Sequence, residues 1–178
     1  MATKTWALDP THSEIQFKIK HLMITNVTGS FDVFTASAQT EDEDFTKAKV
    51  SFTADVNSIS TNNEQRDGHL KSADFFDVEK FPQIKFEATK TENTDSDGSF
   101  ELYGDLTIRD VTKNVKLSVE FGGVVKDPYG NTKAGFTISG KINRKDFGLT
   151  WSAVTEAGGV VVSDEVRIAA EIQLIEQA

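Results

Sequence analysis

The sequence predicts an all-β protein, an antiparallel sheet that must close on itself, and three observations lead there. Apolar and polar residues swap at every second position along most of the 178 residues, which is the period of a strand buried on one face. There are about eight such segments, most of them separated by short polar turns. One stretch alone, Arg66 to Pro82, breaks the alternation, so a single short helix is available. One helix cannot cover eight apolar faces. The sheet therefore covers itself, as a barrel or a sandwich.

Taken in order, Ser13 to His21 puts Ile15, Phe17 and Ile19 on one face and Glu14, Gln16, Lys18 and Lys20 on the other. Val27 to Phe34 continues the inward face through Gly29, Phe31 and Val33. Glu41 to Asp44 reads as a solvated loop rather than a metal site. Lys49 to Val56 turns Val50, Phe52, Ala54 and Val56 inward. Asn62 and Asn63 offer a cap to a helix over Glu64 to Lys71, and Pro82 forces an extended restart. Strands follow through Ile84, Phe86 and Ala88, then through Phe100, Leu102, Gly104, Leu106 and Ile108. Asn114 to Val125 places Val115, Leu117, Val119 and Phe121 on one side, with a bulge or bend at Gly122-Gly123. Asp127 to Asn131 is a turn by composition. Phe136, Ile138, Gly140 and Ile142, then Val166 to Leu174, complete the set.

Several blocks carry a resemblance. Arg66-Asp67, His69 to Ser72 and Asp74 to Lys80 with Pro82, set among WALDPTHS (6–13), VTGSF (27–31), GDLTIRDVTKNV (104–115), RKDFG (144–148) and VSDEV (162–166), resemble the YceI-like family over nearly the whole chain, 1–178, read as one domain. The resemblance implies a lipocalin-like extended antiparallel barrel. It also implies a polyisoprenoid or similar long apolar guest, and a homodimer.

Composition narrows the function classes. A net charge of −9 argues against a nucleic-acid partner and against docking on an anionic membrane. The absence of cysteine removes disulfides and thiolate chemistry. The N-terminus lacks the apolar run of a signal peptide, and no stretch is long enough for a membrane span. As written, the chain is expected in the cytoplasm, or in the periplasm if a leader has been removed. Thirteen phenylalanines stand against two tyrosines and two tryptophans. That bias fits an ordinary β core, and it equally fits an interior without polar groups that receives an apolar guest. Strands of about 10 residues rise ~33 Å, which makes a tall barrel with room inside. Small inward residues (Gly104, Gly140, Ala54, Ala88) add to that room or accommodate large neighbours.

Tempting motifs fall away. GFTISGK (135–141) approaches a phosphate loop, but Ile142 stands where a hydroxyl is needed and the segment alternates as a strand. NTDSDGS (93–99) has Gly104 where a calcium loop needs its glutamate, so it reads as a hairpin tip. His12, His21 and His69 lie on separate elements, and a zinc site is not expected. No nucleophile elbow and no acid/base dyad can be identified, so neither enzyme activity nor a cofactor is expected. Arg66, Asp67 and His69 read first as a network pinning the helix to the barrel end, and second as a gate over an entrance.

The expected function is non-catalytic binding of a long apolar molecule: a polyisoprenoid, an isoprenoid quinone or a fatty-acid amide. A stress or structural protein with a self-filled barrel is the alternative. The wall residues chosen on alternation are Phe17, Ile19, Phe31, Phe52, Phe86, Leu102, Leu106, Val119, Phe136 and Ile138. His21, at the end of an inward run, is the candidate to orient a head group.

Overall fold

The structure is a computed structural model that describes residues 2–151 and 162–178. Its strands are β1 (Thr3–Leu8), β2 (Glu14–His21), β3 (Thr25–Phe31), β4 (Phe34–Glu41), β5 (Asp44–Asp55), β6 (Ile59–Ser60), β7 (Gln83–Glu92), β8 (Phe100–Ile108), β9 (Val111–Lys126), β10 (Thr132–Asn143) and β11 (Val162–Glu176). Among the described residues the one α-helix, α1 (Glu64–Lys71), lies between β6 and β7.

All pairings are antiparallel, and the order β1-β4-β5-β7-β8-β9-β10-β11 returns to β1, which closes an eight-stranded barrel. The remaining strands complete its upper rim. Both β1 and β2 lie along the same edge of β11, with Leu8 opposite Leu174 and Glu14 opposite Glu171. The chain spends extra residues between them on a single 3-10 turn, Pro10–His12. Likewise β3 follows β2, while β4, its continuation, follows β1. Closure turns the inward side chains onto one axis.

Alternation located most of these strands and missed three, the two-residue β6 and the longer β1 and β4. β1 contributes Trp6, wholly buried, whose indole N–H donates to the Thr40 hydroxyl at 3.0 Å. β4 has a weak signal because its inward positions after Phe34 are Ala36, Ala38 and Thr40. The charge run at 41–44 is the tight tip of the β4–β5 hairpin, with Asp42 at φ 54°. Val33, expected inward, is 58% exposed, because the chain bends at Asp32-Val33 where β3 ends and β4 begins. The bulge expected at Gly122-Gly123 is present. Gly135 pairs with Gly123 and Phe136 with Phe121, which leaves Gly122 as the extra residue.

Asp9 locks the β1–β2 break to β10. It is 6% exposed, and its carboxylate accepts from Lys133 Nζ at 2.7 Å, from the Thr11 hydroxyl at 2.9 Å, and pairs with His12 Nδ1 at 2.8 Å. Burial works to raise its pKa, but the Lys133, His12 and Thr11 bonds outweigh burial and hold the carboxyl well below the usual carboxylate range. The sign follows directly. A depressed folded pKa contributes stability above the unfolded value of about 4, and that contribution is lost as pH falls below it. Asp9→Asn should therefore destabilise at neutral pH, with the gap to wild type narrowing as the solution is acidified. Denaturant midpoints from pH 7 to pH 3 check this; a gap independent of pH would refute it.

Candidate functional site

Two chambers lie on the barrel axis. The upper one, about 290 Å³, sits beneath α1 and the turn that follows it. The lower one, about 150 Å³, lies deeper in the barrel. Ile15, Phe52, Leu106 and Ile168 line both, so they form a waist between them. Apolar side chains dominate both walls. The lower chamber in particular has Ser37 as the one polar residue along its wall, and an apolar cavity of that size stays dry and open to an apolar guest.

Below the lower chamber, rings seal the barrel. Trp6 lies 4.9 Å from Phe45, and Phe45 lies 4.9 Å from Phe136 and 6.0 Å from Phe121. Two of the inward glycines are filled rather than open. A Cβ on Gly104 would meet the Phe86 ring at 2.3 Å, and one on Gly140 would meet Leu117 at 2.6 Å. A large neighbour occupies the space over each of these glycines, so they add no room. Ala54, by contrast, does line the upper chamber.

α1 and an aromatic cluster lie at the upper end. Asn63 caps the helix by accepting from the Arg66 N–H at 3.0 Å. The Arg66 and Asp67 side chains both converge on Thr61. Asp67 accepts from the Thr61 N–H and hydroxyl at 2.9 and 2.6 Å, while Arg66 donates to the Thr61 hydroxyl and carbonyl at 2.7 Å each. Arg66 and Asp67 thus tie the helix to Thr61, just after β6, rather than forming an Arg–Asp ion pair, and His69 takes no part in these bonds. His69 stands edge-on to Phe75 and Trp151, each at 5.1 Å, with Nε2 2.8 Å from Asp74. The Ser72 hydroxyl donates to the His69 carbonyl, not to its ring, so no nucleophile is poised there.

The eleven residues singled out from sequence all line a chamber. Phe17, Ile19, His21 and Phe31 belong to the upper one, and Phe86, Leu102, Val119, Phe136 and Ile138 to the lower. Phe52 and Leu106 belong to both. His12 is elsewhere, bound to Asp9 on the wall, whereas His69 joins His21 at the upper chamber. Alternation missed Leu70, Phe75, Phe76, Leu149 and Trp151, which also line the upper chamber from irregular segments and α1. Phe75-Phe76 was legible only as an apolar cluster interrupting polar residues.

A family model described as the YceI-like domain matches residues 6–174. The chain belongs to the YceI-like family. This YceI-like chain is 39% identical over 170 residues to a UPF0312 protein of Staphylococcus aureus, covering 94% of the chain and 95% of the relative. Its fold is similar to that of BcnA from Burkholderia cenocepacia, with a TM-score of 0.80 and 20% identity, over 93% of the chain and 98% of BcnA. It is also similar to a polyisoprenoid binding domain from Saccharophagus degradans, with a TM-score of 0.64 and 15% identity, over 97% and 98% of the two chains. Among the described residues, no helix is long and apolar enough to cross a membrane.

Proposed function

We propose that this protein is a non-catalytic carrier of a long apolar chain, a polyisoprenoid, an isoprenoid quinone or a fatty-acid amide. The tail lies through the waist into the lower chamber, and the head group rests at the upper end beside His21, Arg66 and His69. The observation that carries this reading is the pair of apolar chambers joined at one waist, on the axis of a closed barrel. The family assignment and the neighbour described as polyisoprenoid binding support it. Each buried methylene contributes ~0.8 kcal/mol, so a dozen give a gross gain large enough to survive the ordering of the guest.

The test is organic extraction of purified protein followed by mass spectrometry, with calorimetry on delipidated protein and each ligand class. A long apolar guest at one per chain, bound with a negative heat-capacity change and little salt dependence, is expected. Empty extracts, with no stability change from any of the three classes, would leave the self-filled barrel instead. That second reading draws on Phe86 and Leu117, which already fill the space over Gly104 and Gly140.

The waist gives a sharper prediction. In Leu106→Trp, the larger ring should block passage to the lower chamber. A short-tailed ligand keeps its affinity, whereas a long tail denied about four methylenes of burial loses ~3 kcal/mol, roughly a hundredfold. Equal loss for short and long tails would show that the tail does not cross the waist.

A further inference from the structure

The hairpins β4–β5, β7–β8, β8–β9 and β9–β10 turn through Asp42, Asp95, Asp110 and Asp127. The turn from β2 to β3 is different. It is Leu22-Met23-Ile24, closed by the Ile24 N–H on the His21 carbonyl at 3.2 Å. These three side chains are 39%, 53% and 78% exposed, and of the other large apolar residues described only Val33, Val125 and Tyr129 are exposed. Leu22 and Met23 also stand at φ 54° and 61°, a left-handed conformation that Asp42 and Asn93 hold at other tips and that bulky side chains resist. Neither hydration nor backbone preference therefore selects this turn. His21 and Val27, on either side of it, line the upper chamber, so the tip stands at the chamber's rim.

The same hairpin carries no carboxylate from Ile15 to Phe31, in a chain of net charge −9. Its outward side chains include Lys18 and Lys20, both exposed and, among the described residues, without an acidic partner. Arg167 lies opposite Lys18, and Lys141 opposite Arg167, so positive charge continues across β11 to β10. The carboxylates there are already engaged, Glu165 with Lys141 and Arg167, and Asp164 with Arg144 and Lys145. Asp74, Asp77 and Glu79 lie in the turn after α1. That turn meets β3 at its other end, where Phe76 stands 6.2 Å from Phe31, ~20 Å along the strand from the tip.

We propose that Leu22-Met23-Ile24 is a membrane-docking tip, which enters the interface of a phospholipid bilayer while Lys18 and Lys20 take lipid phosphates. A three-residue tip is too small for a stable protein interface, which buries about 800 Å² on each partner. A bilayer needs only a few inserted apolar side chains, with cations at the level of the headgroups. Lysine meets that need, because its stem lies along apolar surface while its ammonium stays among the phosphates. The net charge of −9 keeps the docking weak and confines it to this acid-free edge. Docked in this way, the rim of the upper chamber sits at the bilayer, where a long apolar guest is dissolved. That consequence, unlike the docking itself, rests on the carrier reading.

The experiment is co-flotation of the delipidated full chain with vesicles of phosphatidylcholine, alone or mixed with phosphatidylglycerol. Wild type should bind the mixed vesicles about tenfold or more tightly than phosphatidylcholine alone, and release as salt rises. Leu22→Asn with Met23→Gly suits the backbone of the turn, so it should fold at least as stably yet bind at least about tenfold more weakly. Lys18→Gln with Lys20→Gln should weaken the preference for phosphatidylglycerol. The chain has no cysteine, so a polarity-sensitive dye on Met23→Cys reports the tip alone. Its emission should shift to the blue on mixed vesicles, whereas the same dye on Val125→Cys, exposed on β9, should not shift. Wild type that ignores the mixed vesicles, a tip variant that binds as wild type does, or equal shifts at both positions each overturns the proposal. Wild type that ignores vesicles and self-associates through Met23 would give the tip to a second copy instead. Extraction tests the chambers and flotation tests the tip, so a guest found without vesicle binding removes the docking and leaves the carrier reading standing.

Discussion

Replacing Arg144 with leucine should destabilise the protein by about 3 kcal/mol or more, a large part of the ~5–15 kcal/mol that holds a domain together. Arg144 opens the 3-10 turn Arg144–Phe147 after β10 and is 2% exposed. Its Nη1 donates to the Leu149 and Trp151 carbonyls at 2.6 Å each, and its Nε donates to the Ser163 carbonyl at 2.9 Å. One guanidinium thus ties the segment after β10 to the start of β11. Burial pushes the pKa of Arg144 down, and Asp164, 3.8 Å from Nη2, pulls it the other way. An arginine remains charged under that pressure. In the leucine variant three carbonyls lose their donor, each worth about 1–3 kcal/mol if it stays buried. Arg144→Lys should recover only part of the loss, because one ammonium cannot reproduce the planar fork. Denaturant midpoints at unchanged m-value measure both variants. A loss under about 1 kcal/mol for leucine would show that the fork does not hold this end of the barrel.

Phe86→Ser should lower stability and affinity together. Phe86 is 5% exposed, the end of its ring lies over Gly104, and it also lines the lower chamber. Serine leaves a void beside Gly104 and a hydroxyl in an apolar wall. Large-to-small aromatic losses cost ~3–5 kcal/mol in a packed core. Because Phe86 already borders a chamber, the ligand-free cost should fall at the low end of that range. A guest whose tail reaches the lower chamber should bind about tenfold or more weakly, because the ring it lay against is gone. Midpoints with and without ligand, for wild type and variant, separate the two effects. A variant that loses stability yet binds a long-tailed guest as tightly as wild type would remove Phe86 from the binding wall.

Much of this protein is legible one residue at a time. Period-two alternation is a local property, since neighbouring side chains on a strand point to opposite faces whatever the rest of the chain does. It therefore yields Phe17, Phe52, Leu102 and Ile138 as inward residues, and one short helix as the element that cannot cover them. That the sheet covers itself, as a barrel or a sandwich, follows from that shortage, and the β1–β11 pairing decides for the barrel. β4 escaped because its inward alanines and threonine carry little hydrophobic contrast, and β1 because only Trp6 and Leu8 mark a short strand.

Only the tertiary structure decided how the interior is divided. Whether an inward glycine leaves space depends on which ring lies across it, and Phe86 reaches Gly104 from the neighbouring strand. The waist joins Ile15, Phe52, Leu106 and Ile168 from four strands, so no local pattern marks it. Thr61, the partner of both Arg66 and Asp67, and the three carbonyls around Arg144 are likewise chosen by where the chain returns. Alternation fixes which way a side chain points, whereas closure and register decide what it meets, because those contacts join residues far apart in sequence.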